Sequence, residues 1–334
     1  TSKWKEKQMA FNRAAGYNNL PSGNFTPEIF SQKVLKFFRR ASVAEDITNT
    51  DYAGEIENFG DTVRIIKEPT ITVSAYSRGS VVNPQDLADD QTTMVVDQAN
   101  AFAFKIDDIE ERQSHVNFEA LATSSGAYSL KRKYDFNILQ AIANGAGIAG
   151  ADDASLAGGL TSTNTALGTA STPIAVHTTR DNAVNLMLEM AKELDEQSVP
   201  EENRWFVASP AFYAKLFSAG AKFAEVQVTG DGTSPLRNGL VMQGNIAGFQ
   251  CYKSTALVTG GTDAVSISGV TAAAGESVVL AGHMSAVATA SHIAKTEVVR
   301  STETFSDIVR GLHVFGRKVL RPEALVRGVV DTIA

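Results

Sequence analysis

The sequence predicts an α+β fold of two mixed helix–strand units, and three observations carry that expectation. The chain has 334 residues, more than the roughly 250–300 at which a single hydrophobic core stops growing. Helical and strand-like periodicities alternate in separate blocks along it. Between two of those blocks lies a β-rich but polar stretch with no core of its own, and an isolated two-stranded ribbon is marginal in water.

Residues 1–26 mix Lys3, Lys5, Lys7 and Arg13 with Gly16, Pro21 and Gly23. Such a composition reads as an arm that lies on something else. It holds no apolar run that could serve as a secretory signal, so cytoplasmic synthesis is expected.

Residues 27–59 open with a helix. Thr26 is its N-cap and Pro27 its first helical residue, and Ile29, Phe30, Val34, Leu35, Phe37 and Phe38 form an apolar face. Lys33, Lys36, Arg39 and Arg40 are its basic remainder. They suit either a solvated face near the C-terminal end of the dipole or contact with an anionic partner.

Residues 60–104 form a hairpin excursion, with β-rich runs at 62–66, 70–76 and 92–106. Its middle, about 67–91, carries Pro69, Gly79, Pro84 and three aspartates, so a neighbouring molecule is expected to support it.

Within 105–145, Asn117 caps a helix on which Phe118, Leu121, Tyr128, Ile138, Leu139 and Ile142 fall at helical spacings, with Gly145 at the C-cap position. About 27 residues at 1.5 Å each make a spine on the order of 40 Å long.

Residues 146–179 are small, polar and glycine-rich, which predicts a flexible crossing or insertion. A second unit spans 180–284: a helix capped by Asp181, then strand, turn and helix opened by Ser209 and Pro210, then short β runs. Residues 285–334 are rich in Val, Ile, Leu and Phe and predict strands that return to the first unit.

Composition narrows the function. Hydrophobic residues at 43% and charged residues at 20% are ordinary for a globular protein, and no stretch approaches the ~18 apolar residues of a membrane helix. A net charge of −7 argues against a dedicated nucleic-acid reader. The single cysteine, Cys251, reads as an apolar filler.

No chemical motif survives its context. Gly145, Gly147 and Gly150 have the G-x-G-x-x-G spacing of a dinucleotide site, whose remote implication would be an NAD-dependent oxidoreductase. That motif needs a preceding strand, a following helix and an acidic residue ~20 positions on; a helix precedes it, and LGTAST at 167–172 holds no carboxylate. His115, His177, His283, His292 and His313 include no HExxH pair. Asp89–Asp90, Asp107–Asp108 and Asp152–Asp153 read as turn or capping pairs. No catalytic, metal or cofactor residue is assigned.

The order of parts, with "TPEIFSQKVLKFF", "ITNTDYAGEIENFGDTVRI", "KYDFNILQAI", "NIAGFQCYKSTAL" and "DIVRGLHVFGRKVLRPEALV", resembles the major capsid proteins of tailed bacteriophages over nearly the whole chain. The most telling phrases are G-D-T-V-R-I at 60–65 and G-x-K-V-x-R-P-E-A-L at 316–325.

The resemblance implies an N-terminal arm, an extended loop (60–104), a peripheral domain built from the spine helix (105–145) and C-terminal strands (285–334), and an axial domain (180–284). It implies hexamers and pentamers closing an icosahedral head around double-stranded DNA, with expansion from procapsid to mature capsid. The extended loop would cross a neighbour through Lys67, Glu68, Arg78, Asp86, Asp89 and Asp90. Lys3, Lys5, Lys7, Arg39 and Arg40 would face the interior or a scaffolding protein. A portal protein, a decoration protein, non-specific DNA contact, assembly in the host cytoplasm and residence in the virion are implied too. An encapsulin-type compartment is the alternative within the same fold. Some relatives cross-link a loop lysine to a neighbour's asparagine; Lys67 is the only lysine between Gly60 and Phe104, and the sequence supplies no partner geometry for it.

Overall fold

A computed structural model of the chain describes residues 42–52, 62–67, 69, 71–79, 81, 84–86, 90–109, 118–150, 160–161, 165–169, 172–176, 182–216, 246–257 and 276–332. The arm, the helix expected from Pro27, and the caps Asn117 and Asp181 lie outside them.

Two larger sheets, a two-stranded ribbon and one long helix organise the described residues. The first sheet joins β3 (Gln98–Asp107), β10 (Val287–Arg300) and β11 (Ser306–Val319) in the order β10-β11-β3, all antiparallel. The second runs β5-β4-β12-β9-β7-β8, with β6 paired to β12. Its members are β4 (Ile148–Ala149), β5 (Leu160–Thr161), β6 (Ile174–Ala175), β7 (Arg204–Ala208), β8 (Gln250–Lys253), β9 (Glu276–His283) and β12 (Leu325–Asp331).

The second sheet is buried on both faces, which is why its strands read as continuous apolar runs. Trp205, Val207, Val278, Leu280, Leu325 and Val329 point into one core, with the C-terminal half of the spine helix α2 (Phe118–Gly145) and the short α1 (Ala44–Ile47). Phe206, Ala208, Val279, Ala281, Val326 and Val330 point into the other, with α3 (Asn182–Glu196) and α4 (Pro210–Leu216). Period-two alternation thus puts neighbouring residues of one strand into two cores. Ser209 opens α4 as expected, its Oγ accepting from the Phe212 N–H at 3.3 Å.

The spine helix bridges both sheets. Its C-terminal half buries Ile138, Leu139, Ile142 and Ala143. Its N-terminal half rests on β3 and β11, where Phe102 lies between two glycines. A Cβ at Gly126 would come within 2.7 Å of the Phe102 ring, and one at Gly311 within 2.3 Å.

Four expectations are corrected. The run at 92–106 is two strands, β2 (Asp90–Val95) and β3, which leave Val96–Asp97 for different sheets. Residues 71–77 belong to no ladder among the described residues. Residues 148–149, expected in a flexible crossing, form β4 and pair in parallel with β12 and β5. The C-terminal strands do not stay together: β10 and β11 return to β3, but β12 is buried on both faces and inserts into the middle of the second sheet.

Candidate assembly surfaces

The ribbon begins at β1 (Thr62–Lys67), antiparallel to β2 from Thr62↔Val95 to Lys67↔Asp90. The alternation of TVRIIK explains its seat. Val63 and Ile65 face Met94, Val96, Ala288, Ala290 and Val314 in a small third core, whereas Ile66, one position on, is 86% exposed. The root crosses β11 where Gly316 stands, and a Cβ there would lie 3.0 Å from the Val95 carbonyl oxygen.

Beyond the Lys67↔Asp90 rung no further ladder is formed among the described residues of the ribbon. The Thr72 N–H donates to the Gln85 side chain at 2.9 Å, and Arg78 precedes Gly79, whose φ of +88° favours glycine. Ile71, Val73, Tyr76 and Val81 are all exposed. Large apolar side chains displayed together, without a core beneath them, mark a surface that another molecule covers.

A second exposed region lies at the far end of the three-stranded sheet. Ile109, Val298, Val299 and Phe305 are exposed there, while the surrounding charges are matched. Arg300 donates to Asp108 at 2.7 Å and to Asp307 at 3.0 Å, and Glu297 is held by Lys295 and Arg310. These partners raise the guanidinium of Arg300, Asp108 foremost, and lower the carboxyl of Glu297, Lys295 foremost. Exposed pairs like these add little to stability, but they leave the strand edge with no unmatched charge.

The stretch from Gly316 to Leu325 is a joint on which all parts converge. Arg317 donates to the Asn137 carbonyl of the spine helix. Leu320 N–H bonds the Ala286 carbonyl at 2.8 Å, and the Pro322 carbonyl accepts from Gly147 N–H at 2.8 Å. Just beyond, Arg327 of β12 donates to the Ala143 carbonyl at 2.9 Å, placing a buried cation at the C-terminal end of the helix. The physical content of the phrase at 316–325 is that it ties ribbon root, spine and central sheet together. Beside it a groove of about 460 Å³ is lined by Asn49, Tyr52, Ile65, Leu320, Arg321 and Glu323.

The glycines of the dinucleotide-like spacing serve packing. Gly145 is not in the left-handed region expected of a cap; a Cβ there would meet Val319 at 2.6 Å. At Gly147 it would fall 2.4 Å from the Pro322 oxygen, and at Gly150 2.4 Å from the Gly168 oxygen. Carbonyl groups occupy the space in which a pyrophosphate would need amide donors.

Of the residues expected in loop contacts, Lys67 and Asp90 face each other in backbone register, and Arg78 and Asp86 are exposed. Glu68, Asp89, Lys3, Lys5, Lys7, Arg39 and Arg40 lie outside the described residues. Among the described residues no three His, Cys, Asp or Glu side chains gather as a metal site. Asp107 accepts from the Ile109 N–H at 2.9 Å, and burial raises the Cys251 thiol, the direction opposite to an activated nucleophile.

A family model described as phage capsid protein matches residues 89–328. Among solved structures, that of Mycobacterium phage Che8 is similar at a TM-score of 0.73 and 26% identity, over 93% of this chain and 98% of that one. The capsid of cyanophage P-SCSP1u is similar at 0.67 and 20% identity, over 91% and 92%. The mature capsid of bacteriophage PhiM1 follows at 0.66 and 17%, over 96% of each. No curated protein sequence matches.

Proposed function

Because this chain belongs to the phage capsid protein family and is a structural subunit of a capsid, we propose that it is the major capsid protein of a tailed phage, closing hexamers and pentamers into an icosahedral head around double-stranded DNA. The observation that carries this reading is the ribbon. Its Ile71, Val73, Tyr76 and Val81 are exposed in the single subunit, as expected of a surface that a neighbour covers.

On this reading the loop lies across an adjacent subunit, with Lys67, Glu68, Arg78, Asp86, Asp89 and Asp90 supplying polar contacts at its rim. Such contacts give about 0–1 kcal/mol each. Closure therefore depends on many repeated apolar and backbone contacts related by symmetry, weak enough individually to be corrected during assembly. A net charge of −7 suits a container that holds DNA without gripping it. Lys3, Lys5, Lys7, Arg39 and Arg40 line the interior or meet a scaffolding protein. Portal and decoration proteins complete the particle, which assembles in the host cytoplasm and expands on maturation.

The test is expression of the chain with and without its scaffolding protein, followed by sedimentation and electron microscopy. Closed shells are expected. Monomers or dimers persisting under every condition would overturn the reading.

A further inference from the structure

Near one point the chain passes twice between the two larger sheets. The turn Met284–Ala286 carries it from β9 to β10, and residues 320–324 carry it from β11 to β12. The two crossings are bonded to each other, because the Ala286 carbonyl accepts the Leu320 N–H at 2.8 Å and the Arg321 N–H at 3.2 Å. Whatever holds the 284–286 turn therefore holds both crossings.

His283 caps that turn. Its backbone is extended, and its ring Nδ1 accepts the Ser285 N–H at 3.1 Å and lies 2.8 Å from Ser285 Oγ. A ring nitrogen that accepts a hydrogen bond carries no proton, so this cap requires the neutral imidazole. Protonation places a hydrogen on Nδ1 facing the Ser285 N–H, and the backbone cap is lost.

The charges around the ring act in the same direction. On β7, Arg204 stands opposite His283 in the ladder and is itself held by Asp195 at 2.7 Å. On the second crossing, Arg321 disfavours a charged ring, and Glu323 lines the same groove as Arg321 and Ser285. Burial foremost lowers the imidazole from its usual 6.5; the Glu202 backbone pulls upward, and Arg321 and Arg204 add to the lowering. A protonated ring thus meets a cation on the segment that the turn fastens.

We propose that His283 is a proton-sensitive latch on the double crossing: neutral, it fastens the two crossings together; protonated, it frees the 284–286 turn and repels Arg321, so that the second crossing parts from the first. The stability the latch supplies is present above the unfolded-state value and is lost as pH falls through the lower folded-state one.

The test follows the His283 ring by nuclear magnetic resonance, together with amide exchange of Ser285, Leu320 and Arg321, corrected for the intrinsic pH dependence of exchange, on the full unassembled chain. As pH falls through the ring's own titration, below about 6.5, protection of all three amides is expected to drop together by about tenfold. His283→Asn keeps a side-chain acceptor at the δ position, a favoured cap that does not titrate, so protection there should hold at low pH. Arg321→Gln removes the facing cation and should move the ring's midpoint, and the loss of protection with it, to higher pH. The latch is overturned by an equal loss in His283→Asn, by a loss confined to Ser285 while Leu320 and Arg321 stay protected, or by an unmoved midpoint in Arg321→Gln. Should His283→Asn not fold, the wild-type and Arg321→Gln titrations still decide.

Discussion

Asp135, on the spine helix, accepts the backbone N–H of Ala44 at 2.8 Å, across 91 residues of chain. The same oxygen accepts from Val43 N–H and Ser42 Oγ, each at 3.1 Å. The carboxylate therefore supplies the cap that α1 does not find locally and fixes the segment leading in from the N-terminal part of the chain against the main core.

Asp135→Ala leaves two buried donors without an acceptor, each worth about 1–3 kcal/mol. The expected loss is about 3 kcal/mol, read as a lower urea midpoint with an unchanged slope. A variant within error of wild type would show that α1 holds its place by Ala44 and Ile47 packing alone.

Gly147→Ala forces a methyl group into the Pro322 carbonyl, backbone against backbone, and should cost about 2–3 kcal/mol. Gly79→Ala meets no atom within 4 Å and bears only the strain of its positive φ, about 1–2 kcal/mol. NAD titrated into the wild-type chain should give no saturable signal; saturable binding that Gly147→Ala abolished would restore the dinucleotide reading.

The spine, the ribbon's first strand and the Ser209–Pro210 helix start were legible because each has a local cause: helical spacing, period-two alternation, a capping hydroxyl. β4 was not, since two residues between glycines carry no periodicity and their strand character comes from β12 and β5 on either side. The separation of β12 from β11 was equally hidden, because an apolar run does not say which sheet will bury it. For the assembly surfaces, polarity and turn residues located the ribbon. The exposed patch of Ile109, Val298, Val299 and Phe305 became visible only in three dimensions, because an apolar strand run does not say which of its residues stay uncovered.

His313 lies at the contact between helix and sheet. It packs edge-on to Tyr134 at 5.1 Å, stacks on Phe315 at 5.3 Å and bonds Ser291 Oγ at 2.7 Å. Burial lowers its pKa from the usual 6.5, against an opposing pull from Glu45. A depressed folded-state value means stability fully present above the unfolded value and lost as pH falls through the folded one. The subunit should therefore weaken progressively below about pH 6.5, and His313→Gln should flatten that slope. His283, also lowered chiefly by burial, should leave a residual dependence. Identical pH profiles for the two proteins would remove His313 from the account.

The ribbon separates folding from assembly most directly. Its root is seated by Val63, Met94 and Val96 on Ala288, Ala290 and Val314, and its last rung among the described residues is Lys67↔Asp90. Replacing residues 68–89 by Asn-Gly supplies the two-residue turn that an antiparallel pair favours and leaves that root intact. Since Ile71, Val73 and Val81 are exposed, stability should change by no more than about 0.5 kcal/mol, as for surface substitutions remote from the core. Shell formation should nevertheless fail, with the chain sedimenting as small oligomers. A shortened chain that could not fold would show that the ribbon supports its own core, and one that assembled normally would show that subunits join through other surfaces.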